Sequence, residues 1–90
     1  MTTNQRKIKF LRKKLDKITE ELIELIAKKN IVLEIGNIKK EEKMSIVDSQ
    51  REKEEIEKAK ILAKKFKLNQ TTIEKITKIL IQYGRELQKK

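Results

Sequence analysis

From Ile8 to Leu25 apolar residues recur at spacings of three and four, and charged residues fill most of the positions between them. This spacing is typical of an amphipathic α-helix, because a helix turns once in about 3.6 residues. The pattern predicts one helix over residues 5–42, on the order of 55 Å long at about 1.5 Å per residue. The apolar stripe of this helix consists of Ile8, Leu11, Leu15, Ile18, Leu22, Leu25, Val32, Ile35 and Ile38.

Two shorter amphipathic segments follow the first helix. Residues 43–47 are predicted to form a loop, and the helical spacing of apolar residues then predicts helices over 49–66 and 71–88. Asn69 or Thr71 is a suitable N-cap for the last helix, since short polar side chains accept hydrogen bonds from the first turn. With no proline and only two glycines, the sequence predicts an all-α fold of three helices of very unequal length.

The first helix is too long for the rest of the chain to cover. Helices in globular proteins average about 11–12 residues, and a single small domain of residues 1–90 buries a limited fraction of its surface. The chain has no cysteine and no histidine, which excludes disulfides and the usual zinc ligands as support. We therefore expect a homodimer. An inert coiled coil is disfavoured, because Lys28, Lys29 and Gly36 interrupt the apolar seam.

The net charge of +10 raises the question of an anionic partner. A solvated lysine-rich surface is the favoured interpretation, because the lysines alternate with glutamates along the chain. Three aromatic residues are too few to stack on single-stranded nucleic acid. No apolar run is long enough for a membrane span, and the first residues lack the apolar core of a signal peptide. We expect a cytoplasmic protein that binds neither membrane nor nucleic acid and has no metal or other cofactor.

Lysines interrupt the apolar stripe of the first helix at repeating positions. Lys28 and Lys39 are eleven residues apart, about three turns, and so lie on one face of the predicted helix. Lys29 and Lys40 are related in the same way. Such lysines either extend their ammonium groups to solvent or line a pocket for an anion. Lysine is too common in this chain for the spacing to decide between the two.

The segment "VDSQRE" places Asp48, Arg51 and Glu52 within one turn at the predicted start of the second helix. Ser49 and Glu52 have the spacing of a capping box, in which the serine accepts from a backbone N–H and the glutamate reaches back. This interpretation satisfies both residues structurally. The alternative is that the charged turn forms the rim of a binding site.

Residues 8–90 resemble the all-helical class of chorismate mutase. The resemblance is carried by "LRKKLDKITEELIELIAKK", "EIGNIKK", "VDSQRE" and "LIQYGRELQ". Family members place a lysine nine residues before an aspartate. An arginine follows three residues after that aspartate, and a glutamate follows four residues after it. A glutamine stands thirty-six residues after the glutamate. The residues at this spacing are Lys39, Asp48, Arg51, Glu52 and Gln88, with Arg12 at the position of an arginine near the start of the long helix.

The resemblance implies an intertwined dimer that rearranges chorismate to prephenate, a step toward phenylalanine and tyrosine. It also implies roles for individual residues. Lys39 and Gln88 would donate hydrogen bonds to the ether oxygen of the substrate, and Glu52 would hold the substrate hydroxyl. If Glu52 points into the site, Ser49 or Asp48 caps the helix without it. The other implied binding residues are Arg12 from the partner subunit and Lys28 or Lys29 on the carboxylates, with Asp48 and Arg51 framing the hydroxyl end.

Three departures from the family pattern concern substrate binding. The family usually has an arginine in the middle of the first helix, where this chain offers only Lys28 or Lys29, and lysine lacks the bidentate fork of arginine. The stretch 27–36 is one residue short, which leaves both lysines as candidates. Lys28 is favoured because it shares a face with Lys39. Gly84 stands where a serine that contacts the substrate is common.

Two other functions remain open from the sequence. An isochorismate–pyruvate lyase has the same fold and acts on a related dianion. A small basic helical protein that binds nucleic acid would expose several Arg, Asn or Gln side chains on a recognition helix. The last helix carries only Gln82, Arg85 and Gln88 of these, and no helix-turn-helix glycine is present.

Overall fold

Residues 2–90 are described by a computed structural model, in which every regular element is helical. This confirms the predicted all-α class. The elements in chain order are α1 (Thr3–Lys28), a 3₁₀ turn (Lys29–Ile31), α2 (Val32–Glu41), α3 (Ser49–Lys65) and α4 (Gln70–Lys89).

The predicted long first helix is confirmed, since helical residues follow one another from Thr3 to Glu41. The difference is the 3₁₀ turn at Lys29–Ile31, which separates α1 from α2. It falls in the stretch 27–36, which the resemblance predicted to be one residue short. A 3₁₀ turn uses about 3.0 residues where an α-helix uses about 3.6, so a shortened helical segment is a suitable place for it.

The residues up to Asn30 form the first of two compact units. Helix α1 begins after a capping box: the Thr2 hydroxyl oxygen accepts from the Gln5 backbone N–H at 3.1 Å, and the Gln5 side chain accepts from the Thr2 N–H at 2.6 Å. No residue of α1 is buried. Leu11 and Leu15 of the apolar stripe are each 59% exposed, so this stripe lacks a covering surface within its own unit.

The second unit, Ile31–Lys90, packs α4 against both α2 and α3. Ala63 and Leu87 are its buried apolar residues. Helices α2 and α3 each end in a Schellman motif with a lysine in the left-handed conformation, Lys43 (φ 55°) and Lys67 (φ 58°). These two turns form without the glycine that usually occupies this position.

The predicted starts of α3 and α4 hold to within one residue, and the caps decide between the alternatives. The Asp48 carboxylate accepts from the Arg51 N–H at 3.0 Å, which makes Asp48 the N-cap of α3. The capping box of Ser49 and Glu52 is therefore wrong. Asn69 caps α4 by accepting from a backbone N–H at 2.9 Å. None of the helices within residues 2–90 has the length and apolar character needed to cross a membrane.

Candidate active site

Glu52, in the first turn of α3, is held by an arginine of α4. Arg85 Nε donates to Glu52 Oε2 at 2.8 Å, and Arg85 Nη2 donates to Glu52 Oε1. The contact is a bidentate fork, the strongest geometry for a guanidinium and a carboxylate. The two side chains are 32% and 20% exposed, so the pair is partly withdrawn from water.

The pKa of Glu52 lies below its ordinary value of 4.5, chiefly because Arg85 donates hydrogen bonds to the charged carboxylate. Burial opposes this shift, and the nearby charge of Asp48 also raises the pKa, whereas the charges of Arg85 and Lys39 lower it. The same contact raises the pKa of Arg85. Both groups are therefore charged at neutral pH. The pair stabilises the fold above the ordinary carboxyl pKa and loses this effect as the pH falls through the lowered value.

Lys39, near the end of α2, is a second cation whose charge acts on Glu52. Its charge lowers the Glu52 pKa, and its Nζ donates to the backbone carbonyl of Ile46 at 3.1 Å. An ammonium group has three donors, so two remain for a ligand. The hydrogen bond holds the half-buried lysine against the loop between α2 and α3.

Gly36 lies one turn before Lys39 and brings α2 against α4. It is buried, and a Cβ at this position would lie 2.7 Å from Gln88 Cα and 2.8 Å from the Gln88 carbonyl oxygen. Only a residue without a side chain permits this approach. The close contact places Gln88 across from the turn of α2 that carries Lys39.

Gln88 itself has an unusual feature. Its side-chain Oε1 is buried and has no hydrogen-bond partner among residues 2–90. Buried amide groups are nearly always paired, because leaving one unpaired costs about 1–3 kcal/mol. Gln88 is also one turn after Arg85, on the same face of α4.

The other predicted site residues of the second unit make no side-chain hydrogen bond or ion pair with Glu52 or Arg85 within residues 2–90. Asp48 caps α3, as described above. The Arg51 side chain is 63% exposed and pairs with Glu55, with 3.1 Å between Nε and Oε1. Gly84 is half-buried, and a Cβ added there would meet nothing within 4 Å. The substrate contacts expected of these residues stay predictions.

The predicted carboxylate-binding residues of the first unit are all exposed. Arg12 lines an open groove in the surface of α1 together with Ile8 and Asp16. Lys28 is the last residue of α1, and Lys29 caps that helix and opens the 3₁₀ turn. The choice between Lys28 and Lys29 stays a prediction.

Sequence reasoning missed Arg85 as a site residue and considered it only for a nucleic-acid surface. A signal was present, because a charged residue three positions before Gln88 must share its helical face. Glu52 and Arg85 form an ion pair, and Lys39 adds a charge that acts on Glu52. Gln88 lies one turn after Arg85 on the same face of α4. These residues together offer cationic and amide donors and one carboxylate acceptor. Such a set of groups suits a small, oxygen-rich anion that also carries a hydroxyl group.

Comparison with known proteins assigns the chain to a family. It matches the chorismate mutase type II family over residues 11–89. A chorismate mutase of Methanocaldococcus jannaschii is 32% identical over 84 residues, which cover 92% of this chain and 85% of the relative. The chain belongs to the chorismate mutase type II family, a family of isomerases, as the resemblance predicted.

Proposed function

We propose that the protein rearranges chorismate to prephenate in the biosynthesis of phenylalanine and tyrosine. The observation that carries the proposal is the pair of cations that act on the part-buried Glu52: Arg85 through a bidentate contact and Lys39 through its charge. Lys39 and Glu52 also stand at the spacing that the family uses. The family match spans both compact units, which supports one functional domain over the whole chain.

The proposed reaction needs no nucleophile and no proton transfer, which suits a chain without histidine or cysteine. Within one substrate molecule an ether C–O bond breaks while a C–C bond forms. The protein must hold a compact conformer and stabilise negative charge that develops on the ether oxygen. Lys39 and Gln88 donate to that oxygen, and the Glu52 carboxylate accepts from the substrate hydroxyl.

The two substrate carboxylates need further cations. We propose that Arg12 of the partner subunit binds one of them and Lys28 the other, while Asp48 and Arg51 frame the hydroxyl end. On a helix, Arg12 and Lys28 of one chain are about 24 Å apart, too far to hold one small molecule. The exposed apolar stripe of α1 supports a homodimer in which the second copy supplies Arg12.

The activity is tested by the loss of chorismate absorbance in the ultraviolet, with the product identified as prephenate. Isochorismate is assayed in parallel. Formation of pyruvate from isochorismate without prephenate from chorismate would instead identify a lyase. Absence of turnover together with salt-sensitive duplex binding would indicate a nucleic-acid-binding protein.

Arg12 should act across the dimer interface. We expect Arg12→Ala and Gln88→Ala dimers each to lose most of their activity. Unfolding and refolding them together forms heterodimers with one intact site and one site lacking both groups. Random assembly should restore about a quarter of the wild-type activity.

The matched control for this experiment mixes Lys39→Ala with Gln88→Ala. Both residues belong to the same chain's site, so every heterodimer site lacks one of them and no activity should return. Sedimentation of each mixture at micromolar concentration checks that the species has twice the 10.7 kDa chain mass. Recovery equal to that of the control would show that Arg12 does not act in trans.

Gln88→Glu should make the activity depend on pH. A carboxyl group donates a hydrogen bond only while it is protonated, so the variant should be active at acidic pH and lose activity toward neutrality. The measurement is kcat against pH for wild type and variant. Full activity of Gln88→Glu at pH 8 would exclude Gln88 as the donor to the ether oxygen.

A further inference from the structure

Arg85 binds the side chain of Glu52, a proposed catalytic residue, yet the family pattern assigns it no role. Two of its five N–H donors hold both oxygens of Glu52. The contact joins α4 to α3 across thirty-three residues of sequence. Arg85 and Gln88 share a face of α4, so the fork lies at the site and not on the opposite surface.

We infer that Arg85 is a positioning residue for the reaction: its fork fixes the Glu52 carboxylate so that the lone pairs on the opposite side accept from the substrate hydroxyl. The inference rests on the proposed function. A carboxylate has about four acceptor positions, and the fork occupies two of them. The other two keep a fixed direction, which a freely rotating glutamate would lack.

The charge of Arg85 has a second consequence. A dianionic substrate beside Glu52 favours protonation of the carboxyl, as burial and Asp48, the N-cap of α3, already do. Lys39 on α2 and Arg85 on α4 oppose this, and Arg85 has the largest effect. Without Arg85 the carboxyl should protonate at a higher pH and lose acceptor capacity just where the substrate needs it.

An ion pair that merely joins two helices is the alternative to a positioning role. The same two helices provide the matched control, because Lys60 of α3 pairs with Glu74 of α4 at 3.3 Å. Partly exposed pairs of this kind contribute little to stability. If Arg85 only connects α3 to α4, removing either cation should have the same effect on turnover.

The test is kcat/KM for chorismate against pH in wild type, Arg85→Gln, Arg85→Lys and Lys60→Gln. Arg85→Gln should lower the plateau, the pH-independent value of kcat/KM, about 10- to 100-fold, the effect of losing a charge-assisted contact. It should also move the acid limb, the fall of kcat/KM at low pH, to higher pH. Arg85→Lys should restore the acid limb, because it keeps the charge. Its plateau should stay low, because an ammonium group cannot form the fork. Lys60→Gln should follow wild type.

Two outcomes would overturn the inference while the wild type is active. One is an Arg85→Gln profile that overlies the wild-type profile. The other is an Arg85→Lys profile with both the wild-type plateau and the wild-type acid limb, which decides the matter even if Arg85→Gln does not fold. A wild-type chain that does not turn over chorismate at any pH would overturn the proposed function itself, and this inference with it.

Discussion

Lys39→Ala and Gln88→Ala should each lower kcat by about 10²- to 10³-fold, the usual effect of removing one donor to a developing oxyanion. Both side chains are proposed to bind an oxygen that gains charge only as the C–O bond breaks. Interactions that strengthen in the transition state affect turnover more than substrate binding. The structure supports the pair, because Gly36 brings the Gln88 backbone against α2 one turn from Lys39.

Lys28→Ala is the control for this expectation. A substrate carboxylate is charged both before and during the reaction, so losing its partner should mainly raise KM. The measurement is full saturation kinetics for the three variants, with circular dichroism to confirm that each is folded. If Lys39→Ala and Gln88→Ala raise KM and leave kcat unchanged, neither residue stabilises the transition state.

The helices of this protein could be predicted closely from sequence because their signals are local. The apolar spacing of α1 and α4 is regular, and Asn69 lies where a short polar cap is needed. The cap of α3 was harder, since Asp48 and Ser49 are adjacent and both are good caps. In the structure Asp48 takes the N-cap position, and the Glu52 side chain binds Arg85 instead of completing a capping box.

The rest of the site depends on contacts that no local pattern encodes. Lys39 and Glu52 could be chosen by their family spacing, but Arg85 meets Glu52 only after α4 packs on α3. The 3₁₀ turn at Lys29–Ile31 could not be predicted either. Over only three residues, the apolar spacing of a 3₁₀-helix and that of an α-helix are too similar to distinguish. From the sequence, Gly36 is interpreted only as a weak point in a helix, because its contact with Gln88, fifty-two residues later, exists only in the folded chain.

Gly36→Ala should lower kcat by about 10²-fold, although alanine is the better helix former. In a helix interior this substitution ordinarily stabilises by about 1 kcal/mol. Here the new Cβ would lie 2.7 Å from Gln88 Cα, whereas carbon atoms pack at about 3.5–4.0 Å. One helix must therefore shift by roughly 1 Å, and a misplacement of that size in a catalytic group can cost about 10² in rate. Overpacking also typically costs about 1–3 kcal/mol, which removes the gain in helix propensity.

Gly84→Ala separates helix propensity from packing, because a Cβ at Gly84 meets nothing within 4 Å. Denaturant unfolding at one fixed protein concentration should show Gly84→Ala more stable than wild type by about 0.5–1 kcal/mol. Gly36→Ala should show no such gain, and its kcat should fall. If Gly36→Ala instead stabilises the protein as much as Gly84→Ala and keeps the wild-type kcat, there is room for a side chain where α2 packs against α4. Gly36 would then not set the position of Gln88.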